Sequence, residues 1–219
     1  KRYENIDELD MDVDAWLIVG VDGTRHLEWF SRIVHFQKPV FIDKPVAASL
    51  ADFDQMTSLS EKWNTPLFSS SSLRFSVDVQ AVKNEEIDFL YAYGPLPFQE
   101  KMPGYYWYGI HSLEWIDELY NSDVAAVERI KLEKYELVHF VFTDGRRAVF
   151  RGAYEWTDKF GGTAHMQEKP VHLELWKMEK PYYVSLLEEM IRFFRTGESP
   201  VPPGRTRRIL EWIETLNRL

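Results

Sequence analysis

Apolar positions run almost unbroken through Ala15, Trp16, Leu17, Ile18, Val19, Gly20 and Val21, the pattern of a strand covered on both faces. The period then changes. Leu27, Phe30, Ile33 and Val34 recur at helical spacing and predict a helix over residues 24–37. Val40, Phe41 and Ile42 make a short strand that ends at Asp43-Lys44-Pro45. Ser49 and Asp52 form a variant capping box, and the helix they open turns Phe53, Met56 and Leu59 inward. Pro66-Leu67-Phe68 reads as a third strand. Strand, helix, strand, helix, strand predicts a stretch of doubly wound parallel sheet with right-handed crossovers.

Four serines at positions 69–72 mark a boundary, and the pattern beyond them differs. Residues 87–93 read as a strand. Residues 94–104 hold three prolines and read as a loop. A helix is expected over 111–120, with Leu113, Ile116 and either Leu119 or Tyr120 inward. Strands are expected over 127–134, 137–142 and 147–154, and Thr143-Asp144-Gly145-Arg146 joins the last two as a hairpin. Val138, Phe140 and Phe142 alternate with Leu137, His139 and Val141, so both faces are apolar. One face is expected under helices and the other against a partner. Two helical stripes close the chain and read as core: Tyr183, Leu186, Leu187, Met190, Ile191 and Phe194, then Ile209, Trp212, Ile213 and Leu216. The expected fold is α/β plus α+β, a partial doubly wound parallel sheet over 1–72 and a mostly antiparallel open sheet over 73–219.

Composition narrows the partners. With 219 residues, 45% hydrophobic and 15% aromatic, the chain can bury a substantial core. A net charge of −9 argues against nucleic acid or an anionic membrane, both of which call for a basic face. There is no cysteine, hence no disulfide and no thiolate nucleophile, as suits a cytoplasmic protein. No apolar run approaches the roughly 20 residues that span a bilayer. Phosphate-loop and nucleophile-elbow motifs are absent. No metal is expected, because His111 and Glu114 lack a third ligand at metal-site spacing.

Lys44 is the most informative position. Pro45 stops the strand and keeps the lysine extended, which turns an amine outward at the carboxyl end of a parallel strand. Ligands of open α/β sheets bind at that edge. The plainer alternative is a lysine at an exposed strand end.

On these residues the chain resembles the Gfo/Idh/MocA group of nicotinamide-dependent sugar and polyol dehydrogenases. Its members carry an apolar strand, a loop ending in histidine, a helix, and a strand ending Glu-Lys-Pro. The matching residues are Ala15 to Val21, Asp22-Gly23-Thr24-Arg25-His26, and Asp43-Lys44-Pro45. The group's second signature, Asp-x-Gly-x-His with Asp three residues later, matches Trp107-Tyr108-Gly109-Ile110-His111-Ser112-Leu113-Glu114. The tail through Tyr182, Phe193, Gly197 and Pro203 is similar to its closing helices. The resemblance implies a Rossmann-like cofactor domain followed by a substrate-binding and dimerisation domain. It also implies NAD or NADP held by Asp22, Gly23, His26, Asp43, Lys44 and Pro45, a sugar or polyol substrate, and a homodimer or homotetramer joined through the open sheet.

Two departures stand out. None of the eleven glycines is separated from another by one residue, so there is no Gly-x-Gly-x-x-Gly turn for a pyrophosphate. The opening Lys1-Arg2-Tyr3-Glu4-Asn5-Ile6-Asp7-Glu8-Leu9 is similar to the short helix before the group's fourth strand. The chain is therefore expected to be the later part of a longer protein, and to bind a dinucleotide poorly alone. Trp107 and Glu114 stand where the group places aspartates, and an indole cannot relay a proton.

Oxidising a secondary alcohol removes the hydroxyl proton while hydride leaves the carbon. Histidine suits the proton, so His111 is the candidate base, its alternative being a capping or buried histidine. Lys44 is the candidate for a hydrogen bond to the reacting hydroxyl. Glu114 is expected to orient the imidazole or bind a hydroxyl, or else to be a solvated helix carboxylate. Trp107 and Tyr108 are candidates for ring stacking or for core packing. Arg74 is expected at a cleft or on the surface. His165, in Gly161-Gly162-Thr163-Ala164-His165, is expected on a flexible loop able to cover substrate. The amine of Lys44 and the imidazole of His111 are expected to share a pocket between the two lobes. The leading reading is a sugar, cyclitol or polyol dehydrogenase. The alternative is a non-catalytic relative that binds a small ligand or regulates a partner.

Overall fold

The apolar run Val40-Phe41-Ile42 is buried on every residue because it forms the central strand of a parallel sheet. The structure is a computed structural model that describes residues 13–156, 159–177 and 180–219. The expected helix at the N-terminus lies outside those residues. By contact density the chain forms two units. The first runs through Ser70 and adds Leu187–Arg207; the second is Ser71–Leu186 with Arg208–Leu219. The expected second domain over 73–219 therefore gives up 187–207, which pack with the first unit.

In the first unit, β1 (Trp16–Ile18), β2 (Val40–Ile42) and β3 (Leu67–Phe68) are parallel in the order β1-β2-β3. Trp16 registers with Val40, and Val40 with Leu67. α1 (His26–Ile33) and α2 (Leu50–Trp63) make the crossovers. Short 3-10 turns at Gly23–Arg25 and Val34–Phe36 flank α1, so the helix expected over 24–37 is three pieces. Ser49 caps α2 by accepting the Asp52 N–H at 3.1 Å, as the capping pattern foretold. Phe53 and Met56 face the core.

The run at 15–21 departs from expectation. Only Trp16–Ile18 is strand, and Leu17, Val19 and Val21 are 52–63% exposed. Among the described residues β1 pairs with β2 alone, so this stretch is a sheet edge rather than a strand covered on both faces.

The second unit holds a six-stranded sheet in the order β5-β6-β7-β4-β8-β9. Its strands are β4 (Phe89–Pro95), β5 (Val124–Lys131), β6 (Tyr135–Phe142), β7 (Arg147–Ala153), β8 (Gly161–His165) and β9 (Val171–Leu173). β4 and β7 are parallel and every other pair is antiparallel. The β6–β7 hairpin turns through Gly145, whose φ of 89° is costly for any residue with a side chain. Val138, Phe140 and Phe142 point into the core beside Ala148 and Phe150. On the opposite face Leu137, His139, Val141, Tyr91 and Val149 are half-buried. The core is closed by α3 (Val77–Val82), α4 (Gly109–Tyr120) and Trp212, whose ring lies 5.6 Å from Phe140.

α5 (Tyr182–Thr196) and α6 (Pro203–Arg218) complete the chain. On α6, Ile209, Trp212, Ile213 and Leu216 are all buried as expected. On α5 the buried stripe is narrower than expected: Leu186, Met190 and Phe193 face inward, with Phe193 5.5 Å from Phe68. Tyr183, Leu187 and Ile191 are 50–61% exposed. Spacings of four and three residues keep one face, and the wider stripe exceeds what one neighbour can cover. No helix among the described residues is long and apolar enough to cross a membrane.

One carboxyl breaks the apolar pattern of the core face. Glu136, on β6, is 1% exposed, and its only hydrogen-bond partner among the described residues is the Tyr154 hydroxyl, which donates to Oε2 at 2.9 Å. Burial pushes the Glu136 pKa up, partly countered by that hydrogen bond. The folded state thus holds this proton more tightly than the unfolded chain. The stability linked to it is intact below about pH 4 and is lost as pH rises through the folded-state value. Glu136→Gln, which cannot ionise, is expected to exceed the parent in stability at neutral pH, with the gain vanishing near about pH 4. Urea denaturation across pH checks this, and a gain that did not depend on pH would contradict it.

Candidate functional site

His111 is the third residue of α4, near the helix start, and is 9% exposed. Its Nδ1 lies 2.7 Å from the Ser71 hydroxyl. Ser71 opens the 3-10 turn Ser72–Phe75 by accepting the Leu73 N–H at 3.3 Å, and its own N–H donates to Glu114 Oε2 at 2.8 Å. Glu114 therefore acts on the imidazole through Ser71: it fixes the serine backbone, and the serine hydroxyl meets the ring. At 5% exposure Glu114 is not the solvated carboxylate of the alternative reading.

Arg74 explains why that carboxylate is available for the task. Expected at a cleft or on the surface, it is instead fully buried. Its Nε donates to Glu114 at 3.3 Å, and its Nη1 to Asp117 at 3.0 Å and Glu118 at 2.9 Å. Three acids at helical spacing on one face of α4 would repel one another. Arg74 from the preceding turn, Arg208 from α6, 2.7 Å from Asp117, and Lys83, 3.7 Å from Glu118, offset them. Burial acts against the Arg74 cation, and Asp117, Glu114 and Glu118 more than offset it, so its pKa stands above the ordinary arginine value. Arg74 is thus a buried pin of α4 and not a substrate contact.

Aromatic rings wall the imidazole. Tyr108 lies 4.8 Å from His111 in an edge-to-face arrangement, and Phe160 lies 5.8 Å away. Tyr108 stacks with Phe160 at 5.9 Å and meets Trp156 edge-on at 4.6 Å. Trp107 stands 6.3 Å from Tyr108, half-buried. A Cβ on Gly94 would lie 2.6 Å from the Phe160 ring, so the absence of a side chain on β4 is what lets that ring settle.

His165 does not join this wall. It ends strand β8 where a flexible loop was expected, paired with Phe89. At about 3.3 Å per residue, the strand carries it on the order of 15 Å from Phe160. Ser71, Trp156 and Phe160 escaped the sequence reading. For Ser71 a signal existed: a run of four serines at a presumed boundary, all of which are buried.

In the first unit, the loops at the carboxyl ends of β1 and β2 carry the remaining candidates. Asp22 Oδ1 accepts from the Thr24 N–H at 3.1 Å and its hydroxyl at 2.6 Å, which caps the turn containing buried Gly23. Asp43 donates its N–H to Ile18 at 2.8 Å and is half-buried, as is Lys44. Pro45 is buried. His26, expected to meet a cofactor, has no exposed surface. Its Nε2 lies 2.7 Å from the Gly20 carbonyl and its Nδ1 2.9 Å from the Pro45 carbonyl. Carbonyl oxygens only accept, so both contacts are hydrogen bonds when each nitrogen carries hydrogen. His26 thus clips together the loop after β1 and the loop in which Pro45 follows Lys44. Among the described residues no cluster of three potential metal ligands occurs.

No family model matches the chain, and no curated protein matches it. Solved structures do. UDP-N-acetylglucosamine 3-dehydrogenase GnnA from Acidithiobacillus ferrooxidans aligns with a TM-score of 0.86 at 14% identity, over 100% of this chain and 82% of that one. Aldose-aldose oxidoreductase from Caulobacter crescentus, solved with glycerol, gives 0.77 at 17% identity, over 99% and 80%. GenD2 of gentamicin A biosynthesis, solved with NAD, gives 0.80 at 13% identity, over 97% and 78%. The chain thus has an α/β Rossmann-like sheet followed by an α+β sheet, the architecture of these oxidoreductases. That architecture is the fold of Gfo/Idh/MocA-type dehydrogenases.

Two substitutions test the internal supports. Arg74→Met leaves three carboxylates, of which Glu114 and Asp117 are buried, with one cation fewer and is expected to cost about 3–5 kcal/mol in chemical denaturation. His26→Leu strands two loop carbonyls and is expected to cost about 2–5 kcal/mol, with faster amide exchange in the loops after β1 and β2. A loss below about 1 kcal/mol in either variant would refute the corresponding support.

Proposed function

We propose that the protein is a nicotinamide-dependent oxidoreductase that transfers hydride between the cofactor and a sugar, cyclitol or related polyol. The observation that carries this reading is the imidazole of His111, held at Nδ1 by Ser71 and walled by Tyr108 and Phe160. The fold it shares with sugar-active dehydrogenases supports it.

The fit to a nicotinamide cofactor is partial. The carboxyl ends of β1 and β2 offer Asp22, Asp43 and Lys44, a donor and acceptor set suited to a ribose and a carboxamide. His26 is committed to the two loop carbonyls, and the sequence has no glycine turn for a pyrophosphate. When bound, the cofactor would supply the hydride acceptor.

The chain's own residues handle the proton and the substrate. His111 receives the hydroxyl proton at Nε2, because Nδ1 is held by Ser71. Lys44 donates a hydrogen bond to the reacting oxygen and stabilises negative charge there. Tyr108 and Trp156 offer ring faces to the C–H face of a sugar, and the 57% exposure of Trp156 leaves that indole accessible. Trp107, which cannot carry a proton, is assigned to packing beside Tyr108.

The test is an assay of the protein with NAD and NADP against a polyol and sugar panel, following nicotinamide absorbance. His111→Ala is expected to lower kcat by about 10²–10⁴. Ser71→Ala should lower kcat by about tenfold and alter the pH profile, and Ser71→Thr should restore both in part. Lys44→Ala should lower kcat with little change in thermal stability. Ligand binding without turnover for any cofactor and substrate would replace this reading with that of a non-catalytic binding protein.

A further inference from the structure

A cavity of about 540 Å³ in the second unit lies apart from the rings around His111. Ser76, Asp78, His172, Glu174, Lys177 and Lys180 line it, and its size falls within the roughly 300–1,000 Å³ typical of small-molecule sites. Its most telling group is Ser76, which is 3% exposed and whose hydroxyl has no hydrogen-bond partner among the described residues. A buried hydroxyl left unpaired costs free energy, and such groups call for an explanation. Ser76 sits where a serine would cap α3, yet its side chain makes no capping bond.

The charges around that hydroxyl decide what fits. Two lysines and two acidic residues line it, and Lys177 already pairs with Glu174 at 2.9 Å. A phosphate or carboxylate would meet no surplus of positive charge. A cation would meet no cluster of three potential metal ligands among the described residues. Vicinal hydroxyls, each both donor and acceptor, match an alternation of hydroxyl, carboxylate, ammonium and imidazole. The His172 ring is steadied by Thr163, whose hydroxyl lies 3.0 Å from Nδ1. Val77, 53% exposed, and buried Leu175 supply apolar surface for a ring's C–H face.

We propose that this cavity is a binding site for a neutral polyhydroxylated ring, with Ser76 hydrogen-bonded to one of its hydroxyls. The site goes beyond the dehydrogenase reading and does not depend on it.

The experiment titrates ¹⁵N-labelled protein with myo-inositol, with maltose and, separately, with inorganic phosphate. A polyol is expected to shift the amides of residues 76–78 and 174–175 saturably, and phosphate to leave them in place. Ser76→Ala should weaken that binding about tenfold without lowering the melting temperature, because the deleted hydroxyl had no partner. Glu174→Gln, a change at the cavity rim, should also weaken it. The proposal is overturned if phosphate shifts the same amides, if neither polyol does, if Ser76→Ala binds unchanged, or if a crystal soaked in polyol shows only water against Ser76. The titration needs no turnover, so failure of the oxidoreductase assay and failure of this site are separately visible.

Discussion

The guanidinium of Arg74 sits without solvent among three carboxylates of α4, and the order around His111 follows from it. Desolvating four charged groups is unfavourable, and only their mutual attraction and hydrogen bonds make the cluster tenable. Once formed, the cluster fixes α4 against the turn that carries Ser71. Glu114 is shared between the arginine and the Ser71 backbone, so the position of the serine hydroxyl is tied to the charge cluster. The imidazole is oriented by groups that themselves have little freedom.

The parallel sheet reaches similar rigidity by other means. His26 joins two backbone carbonyls from loops that are distant in sequence, and no charged side chain among the described residues pairs with its ring. The loop bearing Lys44 and the loop bearing Asp22 are thereby held to one buried ring. In both units a side chain near the candidate chemistry is braced by a buried group that never needs to meet a ligand.

Much of the scaffold was readable from local pattern. The buried strand at Val40-Phe41-Ile42, the Ser49 cap, the Asp144-Gly145 hairpin and the α6 stripe each depend on neighbours in sequence, where period and turn chemistry act. The supports of the site were not readable in the same way. Arg74 is neutralised by acids some forty residues later, and nothing in its own segment separates a buried arginine from a surface one. His26 reads as a loop histidine until the fold brings the Pro45 carbonyl to its ring. His165 was misread because Gly161-Gly162 suggests a flexible loop; here Gly162 lets β8 approach Trp115 closely, since a Cβ would lie 3.0 Å from that ring. The α5 stripe failed for the reverse reason: apolar period marks a face able to be buried, not one that is.

Gly94 sets a limit on how this molecule can diversify. Any side chain grafted there would collide with the Phe160 ring, which stands 5.8 Å from the imidazole, so a change made deep in the sheet would disturb the wall around His111. The inner wall is thus locked to the core, and drift in it would be purged on two counts. Trp156, which meets Tyr108 edge-on, is by contrast more than half exposed. Natural variation in what descendants of this chain accept has its freest path through that exposed indole.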